Sequence, residues 1–310
     1  MPVSRWSIAD IPDQTGRTVL VTGATSGLGQ QTATVLAGRG ATVLIACRDP
    51  KRGQAALAQL RSATGADATL VLLDLADLAS VRKAAEEVRS RTGDRLDVLI
   101  NNAGVMATPR RRTVDGFELQ IGTNHLGPAA LTWLLAPALT PGARVVTVSS
   151  IMHRLGGLAL DDLNFEHRRY NPVTAYSASK LANLLFSFEL DRRARAAGRD
   201  LLAVAAHPGV VDTELASNMA RMYRLGPLAP MVSWGYKLVS QGVKQGALPQ
   251  LYAATVAGVC SGGFYGPTGL RGTRGAPGVA TTSRAAQDER TARLLWERTA
   301  ELTGVPPDPA

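Results

Sequence analysis

Tyr176 and Lys180 are the residues best suited to chemistry in this chain, four positions apart in a segment of helical pattern, 175–197. At that spacing two side chains share one helix face, so an ammonium stands beside a phenol and favours its phenolate. A free phenol titrates near pH ~10, too high for efficient proton exchange at neutrality, and a neighbouring cation is the simplest remedy. Chance supplies such a pair in a chain of this composition roughly 0.1 times, so its position decides its weight. Upstream, Val146-Thr147-Val148-Ser149-Ser150 places two hydroxyls at the end of an aliphatic run, and Asn124 lies in the long connection before it. Downstream, His207-Pro208-Gly209 follows another run, with Val211 and Thr213 close behind.

A second set of residues suits binding. Thr22-Gly23-Ala24-Thr25-Ser26-Gly27-Leu28-Gly29 follows the first aliphatic run and opens a helical segment. Glycine there lets the backbone turn tightly and approach a pyrophosphate, whose charge rests on the free N–H groups of the helix start. The glycines alone are equally consistent with an ordinary turn, since their spacing is TGxxxGxG rather than GxGxxG. Where a carboxylate would accept the ribose 2′-hydroxyl of NAD, the sequence reads Cys47-Arg48-Asp49. An arginine suits a 2′-phosphate instead, with Lys51 and Arg52 as further cations. The competing reading makes Arg48 a solvated surface residue and Asp49 a helix cap. Asp74-Leu75 and Asn101-Asn102-Ala103-Gly104 stand at the ends of the next two runs. Singly these are turn formers, but recurrence at successive strand ends places them on one edge of a sheet, where ligands bind in such folds.

The elements that must position these residues follow from the pattern. Six short runs rich in Val and Leu, 17–22, 41–46, 68–73, 96–100, 143–148 and 201–206, lack polar alternation, as strands buried on both faces do. Helical segments alternate with them at 28–38, 50–63, 77–92, 115–139 and 175–197. The chain therefore reads as α/β, a single Rossmann-type, doubly wound parallel sheet of six to seven strands within one domain spanning 1–310. Gly262 to Gly266 is a candidate last strand, 284–303 a closing helix and 304–310 a frayed tail. The segment 214–245, with Met219, Met222, Tyr223, Leu225, Leu228, Met231, Trp234 and Tyr236, reads as a substrate lid with adaptable apolar side chains.

Composition narrows the functions. The net charge of +9 invites nucleic acid. The basic residues are dispersed, however, and only 5% of residues are aromatic, so no stacking surface accompanies them; an anionic cofactor fits better. Cys47 and Cys260 lack metal-ligand spacing, and no metal site is expected. No apolar run approaches membrane-spanning length and the first residues lack a signal-peptide core, so a cytoplasmic protein is expected.

In order along the chain, TGxxxGxG, Asp74, NNAG, Asn124, Ser150, YxxxK and Pro208-Gly209 resemble the short-chain dehydrogenase/reductase family. The text VSSxxH…YSxSKLAN resembles its retinol dehydrogenase and WW-domain oxidoreductase branch, which handles lipophilic carbonyls and alcohols, commonly with NADP. The resemblance implies Tyr176 as general acid/base, Lys180 lowering its pKa and binding the nicotinamide ribose, Ser150 rather than Ser149 hydrogen-bonding the substrate oxygen, and Asn124 holding a water of a proton relay. It implies cofactor contacts from Gly23, Thr25, Ser26, Gly27, Leu28, Gly29, Arg48, Asp74, Leu75, Asn102, Ala103, Gly104, Tyr176, Lys180, Pro208, Gly209, Val211 and Thr213. It also implies a lid that closes over the nicotinamide, and a homodimer through the outer faces of 115–139 and 175–197; Leu126, Ala130, Trp133 and Leu134 recur there at helical spacing and suit either such a partner or the core of the single chain. The expected function is an NADP-dependent oxidoreductase interconverting a lipophilic carbonyl and alcohol, without nucleic-acid partners or a membrane anchor. The other classes considered are a non-catalytic NADP-sensing protein, which typically loses the Tyr or the Lys, and a nucleotide-sugar epimerase or dehydratase, whose glycine spacing differs.

Overall fold

Each aliphatic run becomes a strand. In the computed structural model, which describes residues 6–211 and 240–309, β1 (Thr18–Thr22), β2 (Thr42–Cys47), β3 (Ala68–Leu72), β4 (Leu96–Asn101), β5 (Leu139–Val148), β6 (Leu201–Ala206) and β7 (Phe264–Gly269) run parallel, and β8 (Arg274–Val279) pairs antiparallel with β7. Their order is β3-β2-β1-β4-β5-β6-β7-β8. The chain winds outward from β1 in one direction and resumes at β4 in the other, so the carboxyl ends of β1 and β4 form the crevice where such sheets hold ligands.

Helices cover both faces. α1 (Gly27–Ala37) and α2 (Pro50–Thr64) lie on one side, and α3 (Leu78–Thr92) packs against α5 (Gly127–Leu135) on the other. Their ends obey local chemistry: Asp49 Oδ1 accepts from Lys51 N at 2.9 Å and Arg52 N at 3.1 Å, and Asp77 and Asp288 cap α3 and the closing helix in the same way. Val, Leu, Ile and Ala of the inner strands are shared between the cores of the two faces, which is why the strand sequences show no polar alternation.

Three expectations are corrected. The segment 115–139 is not one helix: a turn precedes α4 (Leu119–Ile121), a π turn spans Gly122–Leu126, and α5 runs into a 3₁₀ turn at Ala136–Ala138. Pro128 explains part of this, because it has no N–H to give the Asn124 carbonyl four residues back. The sheet has eight strands among the described residues rather than six or seven, since Gly and Pro in Arg274–Val279 concealed the last one.

The tail expected to fray is docked instead: Val305 is 2% exposed in the core, and Arg82 Nη2 donates to the oxygens of Thr303 and Gly304 at 3.0 Å each. Of the residues that suited either a partner or the core, the chain itself buries most. α6 (Pro172–Ala196) and α5 pack against α9 (Glu289–Thr303), burying Leu126, Ala130 and Trp133 and part of Leu134. Trp296 stacks on Phe186 with centroids 5.2 Å apart and meets Trp133 edge-on at 4.8 Å. α7 (Val243–Gly246) and α8 (Leu248–Thr255) complete the described elements.

Candidate active site

α6 starts one turn before Tyr176 because Asn171 caps it, accepting from Val173 N at 2.9 Å and Thr174 N at 3.1 Å, with Pro172 in the first turn. Tyr176 is half-buried, while Lys180 is 4% exposed. Lys180 Nζ lies 5.8 Å from the Tyr176 ring centroid and donates to the Val148 oxygen at 3.0 Å. Burial pulls the Lys180 ammonium down to about 8; its charge is therefore held below that pH and lost above it. Asn183 Nδ2 donates to the same Val148 oxygen at 3.2 Å, joining α6 to the end of β5.

The two serines after β5 part company. Ser149 Oγ donates to the Lys180 main-chain oxygen at 2.7 Å and is a packing group. Ser150 caps a 3₁₀ turn, Ile151–Leu155, its Oγ accepting from Met152 N at 3.2 Å. Across the crevice, the Asn124 side chain accepts from Val105 N at 2.7 Å and donates to Val105 O and Ser179 Oγ at 2.9 Å each, and Ser179 Oγ donates to the Tyr176 main-chain oxygen at 2.7 Å. Asn124 thus holds the loop after β4 against α6 with its carboxamide. Ser179 and Asn183, present in the YSxSKLAN text, were given no role from the sequence, although their positions three and seven after Tyr176 on one helix face were a usable signal.

The glycine loop has the shape of an anion cradle. Gly23 sits at φ +66°, and a Cβ there would lie 2.9 Å from Ala103 Cα; a Cβ on Gly29 would collide with the Gly23 oxygen. The Thr22 hydroxyl accepts from Asn102 N and Ala103 N at 3.0 Å each, and Asn102 Nδ2 donates to Thr22 O at 2.8 Å, so the ends of β1 and β4 are laced together. Ser26, the cap residue of α1, makes no side-chain cap bond and the first turn holds no acid, which leaves the positive helix end open to an anion alongside Thr25, Gly27 and Leu28. This arrangement fits a dinucleotide pyrophosphate.

Arg48 is exposed at the end of β2, and Asp49 beside it is occupied as the α2 cap. Asp74 Oδ1 accepts from Ala76 N at 2.9 Å in its own turn, and Leu75 is buried. Gly104 stands between Asn124 and Lys180; a Cβ there would lie 3.1 Å from Asn124 Oδ1 and 3.4 Å from Lys180 Nζ. The Pro208-Gly209 turn is pinned from outside: Gln241 Nε2 donates to Pro208 O at 2.7 Å and Val210 N donates to Thr273 O at 2.8 Å. Val211 is buried and bridges to Gln241. Gln241 and Thr273 carried no sequence signal, because their partners are remote in the chain. Thr213 and the lid residues up to 239 lie outside the described residues. Among the described residues, no group of His, Cys, Asp or Glu is placed to hold a metal, and no helix is long and apolar enough to cross a membrane.

The structure therefore gathers Tyr176, Lys180, Ser150 and Asn124 beside a phosphate-shaped loop at one sheet edge. The short chain dehydrogenase family model matches residues 17–224, and the chain belongs to that family. Human retinol dehydrogenase 13 is 39% identical over 310 residues, covering 96% of this chain and 87% of its own. A crystal structure of an uncharacterized protein from Mycobacterium Paratuberculosis is 45% identical, with a TM-score of 0.81 over 97% of this chain and 98% of that one. A short chain dehydrogenase from Burkholderia cenocepacia J2315, solved in complex with NADP, is 25% identical with a TM-score of 0.61, over 79% and 93% of the two chains.

Proposed function

We propose that this short-chain dehydrogenase is an NADP-dependent oxidoreductase that interconverts a carbonyl and an alcohol on a lipophilic substrate. The observation that carries the reading is the Lys180 ammonium, buried between the Tyr176 ring and the end of β5 next to Ser150. The nicotinamide, when bound, supplies or accepts the hydride. The chain's own groups manage the oxygen. In the reductive direction the Ser150 hydroxyl donates to the carbonyl oxygen and orients it, and the Tyr176 phenol delivers a proton to that oxygen as its charge develops. The Lys180 ammonium stabilises the phenolate left behind, and Asn124 holds a water through which the proton is replaced. Gly23, Thr25, Ser26, Gly27, Leu28 and Gly29 would hold the pyrophosphate, and Asp74, Leu75, Asn102, Ala103, Gly104, Pro208, Gly209, Val211 and Thr213 would supply the further cofactor contacts. A purified-protein screen of NADPH oxidation against ketones and aldehydes tests the reading directly; an absence of turnover across a broad panel overturns it.

Arg48 carries the cofactor preference. Its guanidinium is exposed at the end of β2, and the adjacent Asp49 carboxylate is turned to the N–H groups of the α2 cap, so a 2′-phosphate meets a cation. Arg48→Ala is expected to raise KM for NADPH by about tenfold or more, the loss of one charge-assisted contact, with KM for NADH changed less than twofold. A wild-type enzyme that prefers NADH refutes the assignment.

The lipophilic substrate is supported by the relative named for retinol and by the Met- and aromatic-rich sequence of 214–245, most of it outside the described residues. Along a series of straight-chain aldehydes kcat/KM should rise with each added methylene, by roughly fourfold at ~0.8 kcal/mol of transfer energy per CH₂, until the pocket is filled. A flat series, or a preference for sugars, removes the lipophilic substrate and leaves the oxidoreductase.

A further inference from the structure

His153 is 1% exposed, and none of the steps above uses it. It belongs to the 3₁₀ turn, Ile151–Leu155, that Ser150 caps. Its Nδ1 lies 2.7 Å from the Ser150 main-chain oxygen, and its Nε2 lies 3.2 Å from Ser283 N. A carbonyl only accepts and a main-chain N–H only donates, so the two bonds together specify one form of the ring: neutral, with hydrogen on Nδ1 and a lone pair on Nε2. Burial works in the same direction, holding the imidazole below its usual pKa, and the ring stands edge-on to Phe264 at 5.5 Å.

The turn that His153 closes is the one that aims Ser150. The Ser150 oxygen also accepts His153 N at 3.0 Å, and within the turn Met152 N donates to Ser150 Oγ at 3.2 Å. A hydroxyl that accepts a hydrogen bond becomes a stronger donor of its own hydrogen. Ser283, at the far end of the His153 link, caps the turn Arg284–Gln287 that leads into α9, and Arg154 Nη2 donates to Thr281 O at 3.2 Å. Two successive residues thus anchor the turn to the segment after β8.

We propose that His153 is a positioning residue for Ser150: as a neutral, Nδ1-protonated imidazole it ties the Ser150 turn to Ser283 and so fixes the direction and donor strength of the Ser150 hydroxyl. The inference rests on the reading of Ser150 as the donor to the substrate oxygen. It differs from a space-filling role, which any ring of similar shape would satisfy.

The test is a double-mutant cycle on the full-length enzyme, with NADPH-dependent aldehyde reduction measured for wild type, His153→Phe, His153→Asn, Ser150→Ala and the Ser150→Ala/His153→Phe pair. Phe keeps the ring and loses both bonds; Asn restores a donor where Nδ1 stood. His153→Phe is expected to lower kcat by about thirtyfold or more with KM for NADPH within about twofold, His153→Asn to recover at least about fivefold of that, and His153→Phe to cost less than about threefold once Ser150 is Ala. Nitrogen-15 NMR of the histidines should show one ring with the Nδ1-protonated neutral pattern near neutrality, a readout independent of turnover and of whether His153→Phe folds. Equal losses from His153→Phe in both backgrounds, wild-type kcat in His153→Phe, or NMR showing every neutral ring protonated at Nε2 overturns the proposal. Near-wild-type turnover in Ser150→Ala overturns the reading of Ser150 itself, which is a different result.

Discussion

Tyr176→Phe is expected to reduce kcat by about a thousandfold, roughly 4 kcal/mol in barrier, while NADPH affinity changes little. The phenylalanine keeps the ring that packs beside Lys180 and removes the one proton donor on this side of the substrate oxygen. The glycine loop, Arg48 and the Lys180 ammonium, which the proposed cofactor contacts include, are untouched. Stopped-flow hydride transfer and fluorescence titration with NADPH separate the two quantities. A kcat within tenfold of wild type would exclude Tyr176 as the acid/base, because less than about 1.4 kcal/mol would then depend on it. A parallel loss of NADPH affinity would instead place the phenol in cofactor binding.

The second large effect concerns stability. Trp296 is 1% exposed, and its ring fills the space between Phe186, Trp133 and the Arg193 guanidinium, which lies 5.2 Å from its centroid. Its removal leaves a void that α9 cannot close without leaving α6, so Trp296→Ala should cost about 3–5 kcal/mol of unfolding free energy by chemical denaturation. The same side chain shields the surfaces of α5 and α6 from a partner. Wild-type protein is therefore expected to scatter light as a single chain at micromolar concentration, and Trp296→Ala to associate as Trp133 and Phe186 become exposed. A loss under about 1 kcal/mol would show that α9 is a loosely held appendage rather than part of the core.

Much of the site was legible before any coordinates. The parallel strands announced themselves because a strand buried on both faces must be apolar throughout, and the glycine loop because only glycine permits the approach of Gly29 to the Gly23 oxygen. Tyr176 and Lys180 could be paired because helical spacing is a local property, readable from residue numbers alone. The caps at Asp49 and Asn171 were likewise local, decided within three residues.

What the sequence left open was decided by contacts between distant segments. Ser149 and Ser150 are neighbours in the chain, and only the fold shows that the Ser149 hydroxyl meets the Lys180 carbonyl, which no spacing rule encodes. The same holds for the Asn124 carboxamide, spent on Val105 and Ser179, and for Gln241 behind Pro208. β8 was hidden because glycine and proline lower strand propensity, and its partner β7 supplies the hydrogen bonds that overcome this. The apolar faces of 115–139 and 175–197 showed in the sequence that something must cover them. Only the tertiary structure could show that the chain's own last helix packs on them, because burial energy depends on the area removed from water and not on which segment removes it.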